Sequence, residues 1–172
     1  MRFQIHGYGG QGVKTAARIL SRSGVVYGFN AQWFITSFEE AEPTVAYVRF
    51  AKEKILEKGP TADSDFTLVF HRDDMPQIKD LKDGSVLILN SQEKLVNPKL
   101  KKKKIKAYTV DATGIALSAT GKSYPNTVML GALLKYFTKI PMKNLKSAIE
   151  SELKEKQKEN ILAAEEGYKQ VR

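Results

Sequence analysis

Cysteine is absent from this 172-residue chain, and histidine occurs only twice. A disulfide framework, a thiolate nucleophile and an iron–sulfur cluster held by cysteines of this chain are therefore all excluded. The chain carries no electrons unless it binds some other cofactor. The two histidines, His6 and His71, have no partners at metal-ligand spacing, although Asp73 and Asp74 lie close to His71, so no metal site is expected. Long apolar runs are missing too. None nears the ~18 residues that span a bilayer, and Met1-Arg2 leads straight into a strand-like segment without an apolar signal core. A cytoplasmic location without membrane contact is the expectation. Repeats and long linkers are also lacking, which favours one domain over residues 1–172.

The composition that remains is that of an ordinary globular domain, with 42% hydrophobic and 27% charged residues. At this length roughly 70% of the unfolded surface can be buried, so no staple is needed. The formal net charge of +9 is unevenly placed. Residues 1–98 hold 12 basic and 12 acidic residues, and residues 99–172 hold 16 and 7, so the whole excess is C-terminal. It includes the run Lys101-Lys102-Lys103-Lys104 between two strand candidates. Such a run is first of all a solvated loop. Polyphosphate ligands, acidic partners and nucleic acid are its other readings. With no aromatic interleaving and no nucleic-acid motif, nucleic-acid binding is not expected. His71-Arg72-Asp73 copies a kinase triplet by letters alone, with none of the supporting motifs, and no catalytic residue is assigned.

Strands are predicted at Phe3–Ile5, Ala31–Thr36, Thr44–Phe50, Phe66–Phe70, Ser85–Leu89 and Ile105–Val110. Val13, Ala16, Ala17, Leu20 and Val25 recur at near-helical spacing, which predicts a helix from Val13 to about Tyr27, closed by Gly28. Only 37–43 joins the second and third strands. That is too short for a crossover helix, so at least one antiparallel pair is expected. Asp73–Lys82 should form a short helical connection. After Asp111 the pattern is helical: Ala112–Thr120, Asn126–Phe137, Met142 to about Lys154, and a last helix to about Gln170. The expected fold is a three-layer α/β/α domain with a mixed, mostly parallel sheet and a helical C-terminal part.

The segment Ile5–Ala17, IHGYGGQGVKTAA, nearly satisfies two phosphate-binding signatures. Gly7, Gly9 and Gly12 fit the dinucleotide spacing, but no acid follows at the end of the second strand, where Asn30, Gln32 and Thr36 stand instead. Gly7 and Gly12 with Lys14-Thr15 approach the mononucleotide loop. Val13 intervenes, however, and turns Lys14 by about 100° from the phosphate axis. A tight strand–helix turn is the bland alternative to an anion site at the helix start.

Gly7-Tyr8-Gly9-Gly10-Gln11-Gly12-Val13 with Thr15-Ala16-Ala17 resembles the GxGGQGxxTAA signature of gamma subunits of 2-oxoacid:acceptor oxidoreductases. Asp111–Leu117 is similar to that family's DATxIA segment and Pro125–Ala132 to its xNTxMLGA helix. The tail from Lys158-Glu159-Asn160 to Tyr168 is of the family's type. One departure is clear: where relatives carry Arg-Gly after an acid, this chain has Glu39-Glu40-Ala41-Glu42-Pro43-Thr44. The resemblance implies a subunit, not catalytic alone, of a pyruvate- or related 2-oxoacid:ferredoxin oxidoreductase that makes acyl-coenzyme A. It implies alpha, beta and delta-type partners holding thiamine diphosphate and iron–sulfur clusters, with this chain binding no cofactor alone but helping to shape coenzyme A access. Residues expected to contact ligand or partner are Gly7, Gly9, Gly10, Gln11, Gly12, Asn126 and Thr127; for the last two, helix capping is the structural alternative. Two rivals remain: a free-standing nucleotide- or coenzyme-binding module built on the glycine loop, and a basic interaction protein built on the lysine run.

Overall fold

A computed structural model describes residues 1–36, 43–57, 59–60 and 63–172. Among the described residues six strands form one sheet: β1 (Arg2–Tyr8), β2 (Asn30–Ile35), β3 (Pro43–Ala51), β4 (Phe66–Val69), β5 (Val86–Asn90) and β6 (Lys106–Val110). Accompanying them, among the same residues, are the helices α1 (Val13–Tyr27), α2 (Pro98–Lys102), α3 (Ala112–Thr120), α4 (Asn126–Tyr136), α5 (Met142–Glu152) and α6 (Gln157–Gln170). The strand order is β2-β3-β1-β4-β5-β6. β3 runs antiparallel to both β1 and β2, while β1, β4, β5 and β6 are parallel. The antiparallel pair is the one demanded by the short link, most of which (37–42) lies outside the described residues, as does the departure at 39–42.

Alternation along the strands sorts side chains to two faces. Phe3, Ile5, Val48, Phe50, Leu68 and Ile88 face a large core with α1, α4, α5 and α6. Val69, Leu87 and Leu89 face the other way, onto a smaller core with Leu81, Leu100 and Ile105. The second helical layer is therefore thin, consisting of α2 and two 3-10 turns. α4 is the central helix, buried from Asn126 through Leu134 without interruption. A helix apolar on every side belongs inside a core.

Three local expectations are corrected. Asp73–Lys82 is not one helical segment but two 3-10 turns, Arg72–Asp74 and Ile78–Asp80. Pro76 removes a backbone donor and holds Met75 extended, at φ −63° and ψ 122°. The lysine run is partly helical rather than a loop: Asn97 Oδ1 accepts from Lys99 N at 3.0 Å, Pro98 occupies the first turn, and buried Leu100 anchors α2. Val25 is 50% exposed, off the apolar face of α1. Gly24 takes the inward position instead, where an added Cβ would lie 2.7 Å from Cζ of Phe50.

His6 lies buried on the thin side of β1, its Nε2 3.1 Å from Oε1 of Gln4. Burial disfavours the imidazolium and pushes the pKa down to about 4 from 6.5. Below pH 6.5 the unfolded chain takes up this proton while the folded one does not. Stability present at neutral pH is therefore lost as pH falls toward 4, by about 2.5 kcal/mol between pH 7.5 and 4.5. His6→Gln should flatten this stretch of the stability curve in urea titrations. An unchanged slope would sink the assignment.

Candidate functional site

The glycine loop joins β1 to α1 at the C-terminal edge of the sheet, where β1 separates the antiparallel strands from the parallel ones. Gly12 is the residue before α1, with φ 81° and ψ 25°, and Gly10 has φ 88°. Both are left-handed values that a glycine adopts at little cost. Gly7 ends in the core: a Cβ there would lie 2.8 Å from Cγ2 of Val13 and 3.1 Å from Cβ of Phe70. The Gln11 carboxamide closes the loop on itself, accepting from Tyr8 N at 2.9 Å. Gly9 lies in the turn between them, partly exposed.

Gly10, Gly12 and Asn126 line one cavity of about 290 Å³, together with Thr15, Lys122, Tyr124, Lys156 and Asn160. The starts of three helices meet there: Thr15 of α1, Asn126 of α4, and Lys156 with Asn160 at α6. None of the three has a side-chain cap, and α1 and α4 carry no acid in their first turns. First-turn N–H groups have no partner within their own helix, so the positive ends of helix dipoles gather at this opening. Lys122 Nζ lies 5.9 Å from the Tyr124 ring centroid, and Lys156 Nζ donates to Thr120 O at 2.5 Å. Glu155 is the acid on the rim. Ammonium, carboxamide, hydroxyl and amide donors dominate, which is chemistry for holding an anion such as phosphate.

Asn126 and Thr127 do not cap α4. Pro125 occupies the cap position, so both lie within the first turn. Asn126 Oδ1 accepts from Thr127 N at 2.8 Å, and its amide packs against Gly12. The Thr127 hydroxyl, buried, donates to Asn160 Oδ1 at 3.0 Å, while Asn160 Nδ2 donates to Lys156 O. Thus Gly10, Gly12 and Asn126 reach the cavity, Thr127 supports it from behind, and Gly7 and Gln11 shape the loop. Lys122, Tyr124, Lys156 and Asn160 escaped the sequence reading. Asn160 had a signal in the tail segment; the others were marked by no motif.

Neither nucleotide signature survives the geometry. A dinucleotide fold places the strand after α1 parallel beside β1, whereas here β2 is an antiparallel edge strand paired to β3. Lys14 is exposed and lies outside the cavity lining. At the end of β4, His71 sits edge-on to Tyr8, with ring centroids 6.2 Å apart, and its Nδ1 is 3.6 Å from Asp73 Oδ2. Among the described residues no three His, Asp or Glu side chains converge as metal ligands. None of the described helices is long and apolar enough to cross a membrane.

Comparison with known proteins gives a consistent result. The model of the pyruvate ferredoxin/flavodoxin oxidoreductase family matches residues 2–170. The pyruvate/ketoisovalerate oxidoreductases common subunit gamma of Thermococcus kodakarensis is 34% identical, over 98% of this chain and 95% of that protein. Among solved structures, the pyruvate oxidoreductase subunit PORC of Thermotoga maritima superposes with a TM-score of 0.84 at 26% identity, covering 100% of this chain and 97% of that one. The 2-oxoglutarate:ferredoxin oxidoreductase of Magnetococcus marinus, solved with 2-oxoglutarate, coenzyme A and succinyl-CoA, shares the fold (TM-score 0.79, 23% identity). There the match covers 98% of this chain but 30% of the larger one.

Proposed function

Since this chain belongs to the pyruvate ferredoxin/flavodoxin oxidoreductase family, we propose that it is the gamma-type subunit of a cytoplasmic complex that oxidises pyruvate or a related 2-oxoacid. In this reading alpha, beta and delta-type subunits carry thiamine diphosphate and the iron–sulfur clusters, consistent with a chain that has no cysteine. The role of this chain is to pack on the thiamine-binding subunits and hold phosphate groups of coenzyme A at the glycine-loop cavity. The observation that carries the coenzyme A assignment is the meeting of three helix starts and two lysines, Lys122 and Lys156, around one opening of ligand size. Gly10, Gly12 and Asn126 shape the opening, and Thr127 fixes Asn160 behind it.

Exposed apolar side chains support association with larger subunits. Val25, Val26 and Tyr27 are exposed on the last turns of α1, and Leu117 and Leu162 on α3 and α6. The run Val25–Tyr27, three exposed apolar residues in succession, is the kind of surface that partners cover. A tagged chain purified gently from its own cells should bring down a thiamine-binding subunit and a cysteine-rich cluster subunit in fixed ratio. That complex should reduce a viologen dye when given a 2-oxoacid and coenzyme A. Recovery of the monomer alone at low salt would overturn the assignment.

A further inference from the structure

The lysine run belongs to neither the glycine-loop cavity nor the apolar surfaces. Residues 94–110 contain seven lysines, Lys94, Lys99, Lys101, Lys102, Lys103, Lys104 and Lys106, and no Asp or Glu. Six are exposed; Lys103 is half-buried, donating to Lys79 O and Leu81 O and pairing with Asp83 Oδ1 at 3.2 Å. Lys103 thus ties α2 to the preceding turn and frees its neighbours to face solvent. Lys79, Lys99, Lys102 and Lys103 border a concavity of about 630 Å³ with Gln77 and Asn97. At the C-terminal end of α2 the chain meets the turn before β5, where the Gly84 N–H donates to Lys103 O. That is the edge of the sheet opposite the glycine loop, one strand length of about 17 Å away.

Two details separate this patch from an ordinary solvated turn. Lys104 has φ 55°, one of only two non-glycine residues with positive φ among the described residues; the other, Lys156, lines the glycine-loop cavity. A lysine is held where glycine would relieve strain, although among the described residues none is hydrogen-bonded or ion-paired to its ammonium. At the other end of α2, just before its cap Asn97, Val96 is 82% exposed, an apolar tip within the lysine-rich segment.

We propose that α2 and its flanking turns form a docking surface for an acidic protein, a carboxylate-rich electron carrier that meets the complex transiently. This rests on the oxidoreductase reading above. Charge complementarity selects the partner: hydrated lysine point charges steer a carboxylate-rich surface into fast, salt-sensitive encounter. Nucleic acid fits less well, because the patch has no arginine for bidentate phosphate contact and no exposed aromatic on which a base could stack.

The test uses the full chain, alone and in its complex, with a flavodoxin of strongly negative net charge as probe. The variant K99Q/K101Q/K102Q/K104Q should bind it at least roughly tenfold more weakly at 25 mM NaCl. Carrier KM should rise with kcat unchanged, and viologen reduction should be unaffected. The equal-charge control K139Q/K143Q/K154Q/K158Q, on other exposed lysines, should shift binding less than about twofold. Equal loss in both variants, no loss in the first, or tighter binding of poly(U) RNA than of the carrier would overturn the proposal. A complex that never reduces viologen would refute the oxidoreductase reading instead, while the binding arms still decide the docking surface.

Discussion

Gly131→Ala is expected to destabilise the fold by about 3 kcal/mol or more, even though alanine is the best helix former and would gain about 1 kcal/mol from propensity. Gly131 sits in mid-α4, where an added Cβ would collide with the carbonyl oxygen of Ala164 and lie 2.6 Å from its carbonyl carbon. Gly167 on α6 is in the reciprocal position, its added Cβ against the carbonyl of Val128 and 2.9 Å from that carbon. Two glycines thus let two helices that start at the same end of the domain touch backbone to backbone. A side-chain neighbour could rotate away from a methyl group, whereas a helix backbone must move as a body. α6 could move only by unpacking Ala163 and Ala164, both fully buried. Urea denaturation should show the loss directly. Gly84→Ala, at φ 75° with open space around it, should cost only about 1 kcal/mol from its backbone alone. A Gly131→Ala protein as stable as the parent would refute this account of the helix crossing.

The same crossing explains which parts of the molecule were legible in the sequence. α1 announced its limits through Val13, Ala16, Ala17 and Leu20 and through Gly28, which caps it at φ 104°. The antiparallel β2–β3 pair followed from a link too short to cross over. These are local facts, and local spacing records them. The cavity is not local. Gly12 meets Asn126, Lys156 and Asn160 only because α4 and α6 lie close enough for their starts to share one opening, and Gly131 and Gly167 set that closeness. Helical spacing gives α4 and α6 as separate periodic stretches and cannot say that their ends coincide. Gln11 shows the converse: its place among the glycines suggested ligand contact, while its carboxamide is occupied by Tyr8 N. Family resemblance marked the loop and Asn126, but Lys122 and Tyr124 reach the opening from the turn after α3, which no motif singled out.

Gly12→Ala should raise the KM for coenzyme A in the assembled complex by about tenfold or more, while Gly10→Ala changes it little. The two positions form an internal control. Their backbones are nearly alike, with φ 81° and 88°, so alanine incurs a similar left-handed strain of about 1–2 kcal/mol at each. They differ in what a methyl group meets. At Gly10 nothing lies within 4 Å, whereas at Gly12 the Cβ would come within 2.5 Å of Asn126 Nδ2 and 3.3 Å of its Cβ. Relief requires the starts of α1 and α4 to separate or the Asn126 amide to swing, and either change moves donors out of the geometry that gathers them around an anion. Adding Asn126→Ala to Gly12→Ala removes the collision but also an amide, so it should restore stability more than coenzyme affinity. Equal rises in KM for both single variants would show that strain in the loop matters and the contact with α4 does not. An unchanged KM in Gly12→Ala, with the variant folded and assembled, would remove coenzyme A from this cavity and leave the glycine loop a structural turn.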